Sequence, residues 1–259
     1  MTTLSGKRVL VTGAGTGIGK AIAIELAASH ATIIVCGRTR SPLEQTVSDI
    51  KGAGGSAQAH VCDVSNPDAV VALADHLNDE GGIDILINNA GFSSRIRSAR
   101  YIQAKEWSEV MDVNTLGPAM LTRALLPPMV ERGCGHVVMI SSMAAIRPGV
   151  MAGAVYSAAK SAARAYMEVL SAEVRGLGVR CTTVLPGEVD TPILDNRALP
   201  PDTETRALMM QPEDISAAVL MAVSLPQRAN VTEIALTATT PRDMTADVTA
   251  ASNKQPQQD

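Results

Sequence analysis

Short apolar runs alternate with helix-like stretches along nearly the whole chain, and this alternation restricts the folds available to it. The runs are continuously apolar, which is typical of strands covered on both faces of a parallel sheet. We therefore predict the α/β class, with a doubly wound, mostly parallel sheet of about seven strands and helices on both faces. The predicted strands are 8–11, 31–35, 57–61, 83–87, 136–140, 179–185 and 231–236, and the predicted helices are 17–29, 41–51, 66–79, 105–132, 154–175 and 212–224.

Length and composition favour one large domain. The chain has 259 residues, of which 46% are hydrophobic and 19% are charged, as is typical of a globular protein with a sizeable core. We expect a single domain over residues 1–241. Residues 190–210 are rich in Pro, Asp, Thr and Arg, are too long for an ordinary connection, and are predicted to form a substrate lid. Residues 242–259 are polar and are predicted to be a disordered tail.

Charge and residue usage argue against several kinds of partner. The net charge is −4 and there is no basic block, so binding to nucleic acid or to an anionic membrane is not expected. No run is apolar enough to span a membrane and no signal peptide precedes the first strand, which favours the cytoplasm. The four cysteines and four histidines are scattered, so neither a disulfide framework nor a metal site is expected.

A glycine-rich loop lies between the first predicted strand and the first predicted helix. Glycines there allow a sharp turn and the close approach of a pyrophosphate, while the free N–H groups and the dipole of the helix start attract the anion. A plain glycine-rich turn is the alternative, but the position between strand and helix favours dinucleotide binding. The residues expected to contact the cofactor here are Gly13, Gly15, Thr16, Gly17, Ile18 and Gly19.

The loop has the spacing Thr-Gly-x-x-x-Gly-x-Gly, and other motifs follow it along the chain. In this order, the pattern resembles the short-chain dehydrogenase/reductase family over nearly the whole sequence. The resemblance implies a Rossmann-type fold and an oxidoreductase that transfers a hydride between NADP(H) and a small-molecule alcohol or carbonyl substrate. The alternatives are a non-catalytic nucleotide-binding relative, and an isomerase or dehydratase that uses the cofactor transiently. The motifs are Asp63, Asn88-Asn89-Ala90-Gly91, Asn114, Ser142, Tyr156-x-x-x-Lys160 and Pro186-Gly187.

Tyr156 and Lys160 are four residues apart and share one face of a predicted helix, so the ammonium can lie near the phenol. A nearby cation favours the phenolate and lowers the pKa of a tyrosine toward the working range. The resemblance implies that Tyr156 is the catalytic acid/base and that Lys160 tunes it and binds the cofactor ribose. It also implies that Asn114 holds a water that connects Lys160 to solvent. A structural role for the amide of Asn114 is the alternative.

Two serines follow the strand before the tyrosine, and one of them is expected to bind the substrate oxygen. In the family the serine usually lies 13 residues before the tyrosine, whereas Ser142 lies 14 residues before Tyr156. The usual position holds Met143, which cannot donate a hydrogen bond. We assign the role to Ser142, with Ser141 as its competitor, and infer one additional residue in the following loop.

Further cofactor contacts are implied by the resemblance at the ends of other predicted strands. Asp63 matches a carboxylate that receives the adenine amino group, although it could instead cap the next helix. Thr191 matches the residue that holds the nicotinamide carboxamide, although it could instead cap the lid segment. The other expected contacts are Val64, Asn89, Ala90, Gly91, Tyr156, Lys160, Pro186, Gly187 and Val189.

The residues after the second strand bear on the choice between NADP and NAD. In dinucleotide folds an acidic residue about 20 positions beyond the glycines binds the ribose 2′-hydroxyl and would repel a 2′-phosphate. This sequence has Gly37-Arg38-Thr39-Arg40 there, with no carboxylate before Glu44. Arg38 follows the position at which NAD-dependent members of the family carry Asp, and a guanidinium can hold a phosphate. NADP is favoured over NAD, while a solvated turn with incidental arginines is the alternative.

Residues near the predicted site bear on the substrate. Arg95, Arg97 and Arg100 follow Gly91 and could attract an acidic substrate, although a solvated positive face is the commoner explanation of such a run. An apolar substrate cavity lined by methionines would be adaptable, although an ordinary core role is equally consistent. The candidate lining residues are Met143, Met151, Val189, Leu194, Met209 and Met210.

The predicted helix 154–175 bears on assembly. Its small residues would let another helix approach closely, and the family resemblance implies a homotetramer in which helices pair. These residues are Ala158, Ala159, Ala162, Ala163 and Ala165.

Overall fold

The apolar runs pair side by side in a parallel sheet. In the computed structural model, which describes residues 4–256, the sheet has seven strands in the order β3-β2-β1-β4-β5-β6-β7, and every pair is parallel. The predicted doubly wound fold is confirmed. The strands are β1 (Arg8–Thr12), β2 (Thr32–Gly37), β3 (Ser56–Val61), β4 (Ile85–Asn88), β5 (Gly135–Ile140), β6 (Val179–Pro186) and β7 (Glu233–Leu236).

Helices occupy both faces of the sheet. Each of the six segments predicted as helical corresponds to a helix or, at residues 105–132, to two helices. Short 3₁₀ turns lie at Met143–Ala145, Arg175–Leu177 and Pro192–Asn196. Within the described residues the helices are α1 (Gly17–Ala28), α2 (Arg40–Gly52), α3 (Pro67–Asp79), α4 (Ala104–Met111), α5 (Gly117–Glu131), α6 (Ala154–Val174), α7 (Thr203–Ala207), α8 (Pro212–Ser224) and α9 (Thr245–Asn253).

The segment predicted as one helix over residues 105–132 is two helices joined by a π-helical turn at Asp112–Leu116. Asn114 lies in that turn and explains it. Its side-chain Nδ2 donates to the carbonyl of Val110 at 2.9 Å, and a side chain that takes the carbonyl four residues back competes with the backbone ladder. The local widening separates α4 from α5.

Alternate residues of the central strand β1 pack on opposite faces of the sheet. Val9 and Val11 contact the cluster that includes α1, α2 and α8, whereas Leu10 contacts the cluster that includes α3, α5 and α6. All three side chains are fully buried, and each such burial stabilises the fold by about 1.5–3 kcal/mol. Because helices cover both faces of the sheet, side chains on both sides of each central strand are buried. The sequences of these strands are therefore continuously apolar.

The winding direction reverses between β1 and β4, and side chains connect the ends of these two strands. Thr12, the last residue of β1, accepts hydrogen bonds at its Oγ1 from the backbone N–H groups of Asn89 and Ala90, both at 3.0 Å. Asn89 Nδ2 donates to the Thr12 carbonyl at 2.9 Å. This edge is where doubly wound folds bind ligands.

The C-terminal segment differs from the prediction of a disordered tail over residues 242–259. Residues 245–253 form α9, and Arg242 binds Glu188 and Asp247. These ion pairs join α9 to the loop after β6, a long-range contact that the polar composition does not reveal. Residues 257–259 of the predicted tail lie outside the described residues.

Candidate active site

The glycine-rich loop has the backbone that a bound phosphate requires. Gly13 and Gly17 have φ values of +64° and +53°, a region that side chains disfavour. At Gly19 a Cβ would lie 2.4 Å from both Asn89 Nδ2 and the Gly13 carbonyl oxygen, so any side chain would clash. Helix α1 starts at Gly17, and the side chain of Thr16 does not cap it. The N–H groups of the first turn are therefore available to an anion.

A groove of about 370 Å³ runs from this loop to the ends of β5 and β6. Most of the predicted cofactor residues line it, together with Ser142, so the structure brings distant motifs into one wall. The predicted residues in the lining are Gly13, Thr16, Gly17, Ile18, Asn89, Ala90, Gly91, Ser142, Tyr156, Lys160, Pro186, Gly187, Val189 and Thr191.

Some lining residues were not predicted. Several are next to recognised motifs, as Phe92 is after Gly91 and Pro192 is after Thr191. Their position next to a motif is the sequence feature that could have predicted them. The unpredicted residues are Phe92, Ile140, Pro192, Ile193 and Asn196, with Ser141 as the competitor already considered.

Five predicted cofactor residues lie outside the groove lining, namely Gly15, Gly19, Asp63, Val64 and Arg38. Gly15 packs against Pro42, and a Cβ added at Gly15 would lie 2.9 Å from the Cβ of Pro42. Gly19 packs against Asn89. Val64 is buried, and a Cβ added at Gly117 would lie only 2.4 Å from the carbonyl oxygen of Val64. Asp63 accepts hydrogen bonds from the backbone and hydroxyl of Ser65 at 3.0 and 2.7 Å.

Asp63 does not cap the following helix, because another residue does so. Asn66 caps α3, because its side chain accepts from the N–H groups of Asp68 and Ala69. Thr191 likewise does not cap the segment after it; its hydroxyl donates to the Val189 carbonyl at 3.4 Å. Both residues remain predicted cofactor contacts.

Arg38 lies outside the groove lining, directly after β2, and its side chain is exposed. Within residues 4–256 no carboxylate forms an ion pair with it, whereas Arg40 pairs with Glu44 at 3.5 Å. A guanidinium without an internal partner is available to bind a phosphate.

Tyr156 and Lys160 lie on the same face of α6, as predicted from their spacing. The Lys160 ammonium is 5.6 Å from the centre of the Tyr156 ring and donates to the Ile140 carbonyl at 2.9 Å. Lys160 is 4% exposed, and burial lowers its pKa to about 8. The lysine is thus held between the end of β5 and the tyrosine.

The two serines make different contacts. The Ser141 hydroxyl donates to the Lys160 carbonyl at 3.0 Å, so it supports α6. Ser142 interacts with the hydroxyl of Tyr156 and accepts from the N–H of Ala144 at 3.1 Å. The geometry therefore directs Ser142, and not Ser141, toward the tyrosine.

The pKa of Tyr156 differs from the expectation of a lowered value. Burial raises it above its ordinary value, while the hydrogen bond with Ser142 and the positive charge of Arg97 act in the opposite direction. In the chain alone, desolvation of the phenol is the larger effect.

Asn114 is buried behind the groove, beside Lys160. Its Nδ2 donates to the carbonyls of Phe92 and Val110, and its Oδ1 has no hydrogen-bond partner within the described residues. A Cβ at Gly91 would lie 2.6 Å from that Oδ1 and 3.2 Å from Lys160 Nζ. Glycine at this position therefore leaves the space between the two polar groups open.

A second cavity of about 590 Å³ adjoins the groove, and Ser142 and Tyr156 line both. Of the apolar residues considered, Met143, Met151 and Met209 line this second cavity. Val189 lines the groove, while Leu194 and Met210 are buried outside both linings.

The arginines after Gly91 do not form a common exposed face. Arg95 and Arg100 are exposed, but Arg97 is only 5% exposed and lines the second cavity beside Tyr156. The explanation of the run as a solvated positive face is therefore wrong for Arg97. Sequence reasoning also missed Glu188, Arg197 and Arg242, which line the same cavity.

Comparison with known proteins agrees with this geometry. A family model described as short chain dehydrogenase matches residues 7–201. The chain belongs to the short-chain dehydrogenase family. The ketoacyl reductase HetN of a Nostoc species is 39% identical to it over 226 residues, which are 86% of this chain and 77% of that relative.

Solved structures of related proteins resemble this short-chain dehydrogenase closely. A metagenomic short-chain oxidoreductase in complex with NADP has a TM-score of 0.79 at 31% identity, covering 90% of this chain and 97% of that chain. The closed form of a serine dehydrogenase complexed with NADP+ has a TM-score of 0.81 at 31% identity, covering 89% and 94%. Family membership makes the protein an oxidoreductase.

Within residues 4–256, no cluster of three His, Cys, Asp or Glu side chains is arranged to bind a metal ion. No helix in this part of the chain is both long and apolar enough to cross a membrane.

Proposed function

We propose that the protein is an NADP(H)-dependent alcohol dehydrogenase or carbonyl reductase that acts on CH–OH groups. The observation that carries the proposal is the position of Tyr156 and Ser142 on the boundary between the groove and the second cavity. A proton donor and a hydrogen-bond donor on that boundary can both reach a substrate oxygen in the cavity while the cofactor lies in the groove.

The proposed reaction balances one hydride and one proton. When bound, NADP supplies the nicotinamide that accepts the hydride in oxidation and donates it in reduction. In oxidation, Tyr156 takes the proton of the alcohol hydroxyl as the hydride leaves the carbon that bears this hydroxyl. In reduction, Tyr156 returns the proton to the carbonyl oxygen. Ser142 holds the substrate oxygen throughout.

Lys160 and Asn114 are proposed to assist this proton transfer. Burial of the phenol opposes its ionisation, so the charge that forms on Tyr156 needs a neighbouring cation. Lys160 supplies the cation, and its ammonium is also near enough to the groove to bind a ribose hydroxyl. The unpaired Oδ1 of Asn114 supports the predicted water bridge to Lys160.

NADP is proposed as the cofactor rather than NAD. The exposed guanidinium of Arg38 supports this choice, as do the related short-chain oxidoreductase and serine dehydrogenase solved in complex with NADP or NADP+. The glycine loop and the start of α1 would hold the pyrophosphate, Asp63 the adenine, and Thr191 the nicotinamide carboxamide. The related proteins are named as a ketoacyl reductase and a serine dehydrogenase, so they do not agree on one substrate.

A homotetramer remains part of the proposal, with a corrected surface. Ala159 and Ala163 are buried inside the protomer, whereas Ala158, Ala162 and Ala165 are at least partly exposed. The last three alanines are therefore the small residues available to a second copy of α6. Light scattering on the purified chain would measure the mass of the assembly.

The decisive experiment follows the absorbance of reduced nicotinamide during incubation with a panel of alcohols, hydroxy acids, ketones and sterols. We expect a steady change with NADP(H) for at least one substrate class. Binding of NADP(H) without turnover of any member, in single- or multiple-turnover conditions, would favour the non-catalytic alternative. A single-turnover change that reverses without net oxidation would favour the isomerase or dehydratase.

A further inference from the structure

The second cavity is lined by both apolar and charged side chains. The apolar ones include Met151, Leu208 and Met209. Four arginines and one glutamate also line it, namely Arg97, Arg147, Arg197, Arg242 and Glu188. The lining charge is therefore strongly positive beside the proposed reaction centre.

Two of these arginines are neutralised by carboxylates of the protein. Arg242 binds Glu188 through two hydrogen bonds of 2.8 Å and binds Asp247 at 2.8 Å. Arg197 binds Glu188 at 2.7 Å. Burial opposes the ionisation of Glu188, but these arginines outweigh it and hold its pKa below the ordinary value. Both carboxylates are thus committed to Arg197 and Arg242.

Arg97 has no such partner. Within residues 4–256 no carboxylate lies within ion-pair distance of it, and the only acceptor for its side chain is the carbonyl of Met151. Its Nε is buried without a hydrogen-bond partner. Burial and the charge of Arg197 lower its pKa to about 10, while the more distant charge of Asp247 acts in the opposite direction, so Arg97 is still charged at neutral pH. A buried, unpaired guanidinium is costly and requires a compensating anion.

The position of Arg97 relative to the reaction centre is set by the start of α6. The N–H of Ala154, the first residue of that helix, donates to the Arg97 carbonyl at 3.0 Å. A Cβ at Gly153 would lie 3.2 Å from the Cβ and Cγ of Arg97, so the glycine admits the arginine side chain. Tyr156 follows two residues later, and the charge of Arg97 acts on its phenol. The guanidinium and the proton donor therefore share one wall.

We propose that Arg97 binds the carboxylate of the substrate, and that the substrates are hydroxy acids and the corresponding oxo acids. The inference rests on the proposed function and adds the substrate class to it. The carboxylate would complete the hydrogen bonding of Arg97, while apolar lining residues such as Leu208 and Met209 would contact the carbon chain. The reacting carbon would then lie between the carboxylate and the groove, within reach of Tyr156 and Ser142.

The kinetic test compares 2- and 3-hydroxy acids of four to eight carbons with their methyl esters and with hydroxyalkyl phosphates. Wild-type kcat/KM should be higher for the acid than for its ester. Because the charge of Arg97 also acts on the phenol of Tyr156, Arg97→Met should slow both substrates, and it should lower kcat/KM for the acid by about 10–100-fold more than for the ester. Arg97→Lys should fall between, because it keeps the charge without the planar fork.

A matched control is available two residues earlier. Arg95 is exposed, carries the same charge, and does not line the cavity, so Arg95→Met should leave the preference for the acid unchanged. Equal turnover of acid and ester by the wild type, or an equal loss on both from Arg97→Met, would overturn the proposal. Preference for the hydroxyalkyl phosphates would assign the site to phosphate instead.

A binding measurement separates this inference from the proposed activity. Titration calorimetry with butyrate and octanoate on the NADP+-loaded protein should show binding that Arg97→Met weakens by about 10-fold or more and Arg95→Met does not. Such binding without any hydride transfer would support the carboxylate site and contradict the dehydrogenase proposal. Carboxylate binding that is absent from the wild type, or equal in both variants, would contradict the site itself.

Discussion

The ammonium of Lys160 lies 5.6 Å from the centre of the Tyr156 ring and is held there by the Ile140 carbonyl. This arrangement keeps a cation beside the phenol, and within residues 4–256 no carboxylate forms an ion pair with it. Because burial raises the pKa of Tyr156, ionisation of the phenol depends on such positive neighbours. Three elements, β5, α6 and the loop after β4, meet at this point.

Replacement of the tyrosine tests the proton-transfer role. Tyr156→Phe should lower turnover by about 10²–10⁴-fold, the usual contribution of a positioned proton donor, while NADP(H) binding changes little. Steady-state kinetics and a coenzyme fluorescence titration would measure the two effects. Full activity in this variant would refute the assignment.

The serines give a paired prediction. Ser142→Ala should lower kcat by about 10²-fold or more, because it removes the hydroxyl that faces Tyr156. Ser141→Ala should change kcat by only a few-fold and instead lower the free energy of unfolding by about 1 kcal/mol, since its hydroxyl bonds the Lys160 carbonyl. Kinetics and urea unfolding of both variants would distinguish these outcomes, and the reverse order would assign the substrate oxygen to Ser141.

The sequence predicted those parts of the fold that depend on local patterns. Continuous apolar runs identified the strands, and the glycine loop identified the groove, because both signals lie within a few adjacent residues. Arg242 and Glu188 are 54 positions apart, so their ion pair cannot be recognised from neighbouring residues. The polar composition of the C-terminal segment therefore did not indicate α9. Arg97 is likewise buried and contacts the carbonyl of Met151, 54 positions away, which neither charge nor spacing indicates.

Arg38 tests the coenzyme preference. A charge-assisted hydrogen bond contributes about 1.5–3 kcal/mol, so Arg38→Ala should weaken NADP(H) binding by about one to two orders of magnitude. NAD(H) binding should barely change, since it has no 2′-phosphate. Arg40→Ala is the matched control, because Arg40 is also exposed but pairs with Glu44. A wild type that binds NAD(H) as tightly as NADP(H) would refute the preference.

His136 connects the buried sheet to the pH dependence of stability. The Thr182 hydroxyl donates to the Val231 carbonyl at 2.7 Å, so its oxygen accepts from Nε2 of His136, also at 2.7 Å. The Nδ1 atom is buried and has no partner within the described residues. Burial and the charge of Arg180 lower the pKa of His136 to about 3, from an ordinary value of 6.5.

Acidification should therefore destabilise the protein through His136. Below pH 6.5 the unfolded chain binds a proton at this position and the folded chain does not, so stability falls as the pH falls toward about 3. His136→Gln keeps an N–H donor for Thr182 but cannot titrate. Urea unfolding at pH 7 and pH 5 should show that the wild type loses about 2 kcal/mol more than His136→Gln over that interval. An equal loss in both proteins would mean that His136 is protonated in the folded state, and would contradict its burial as a neutral ring.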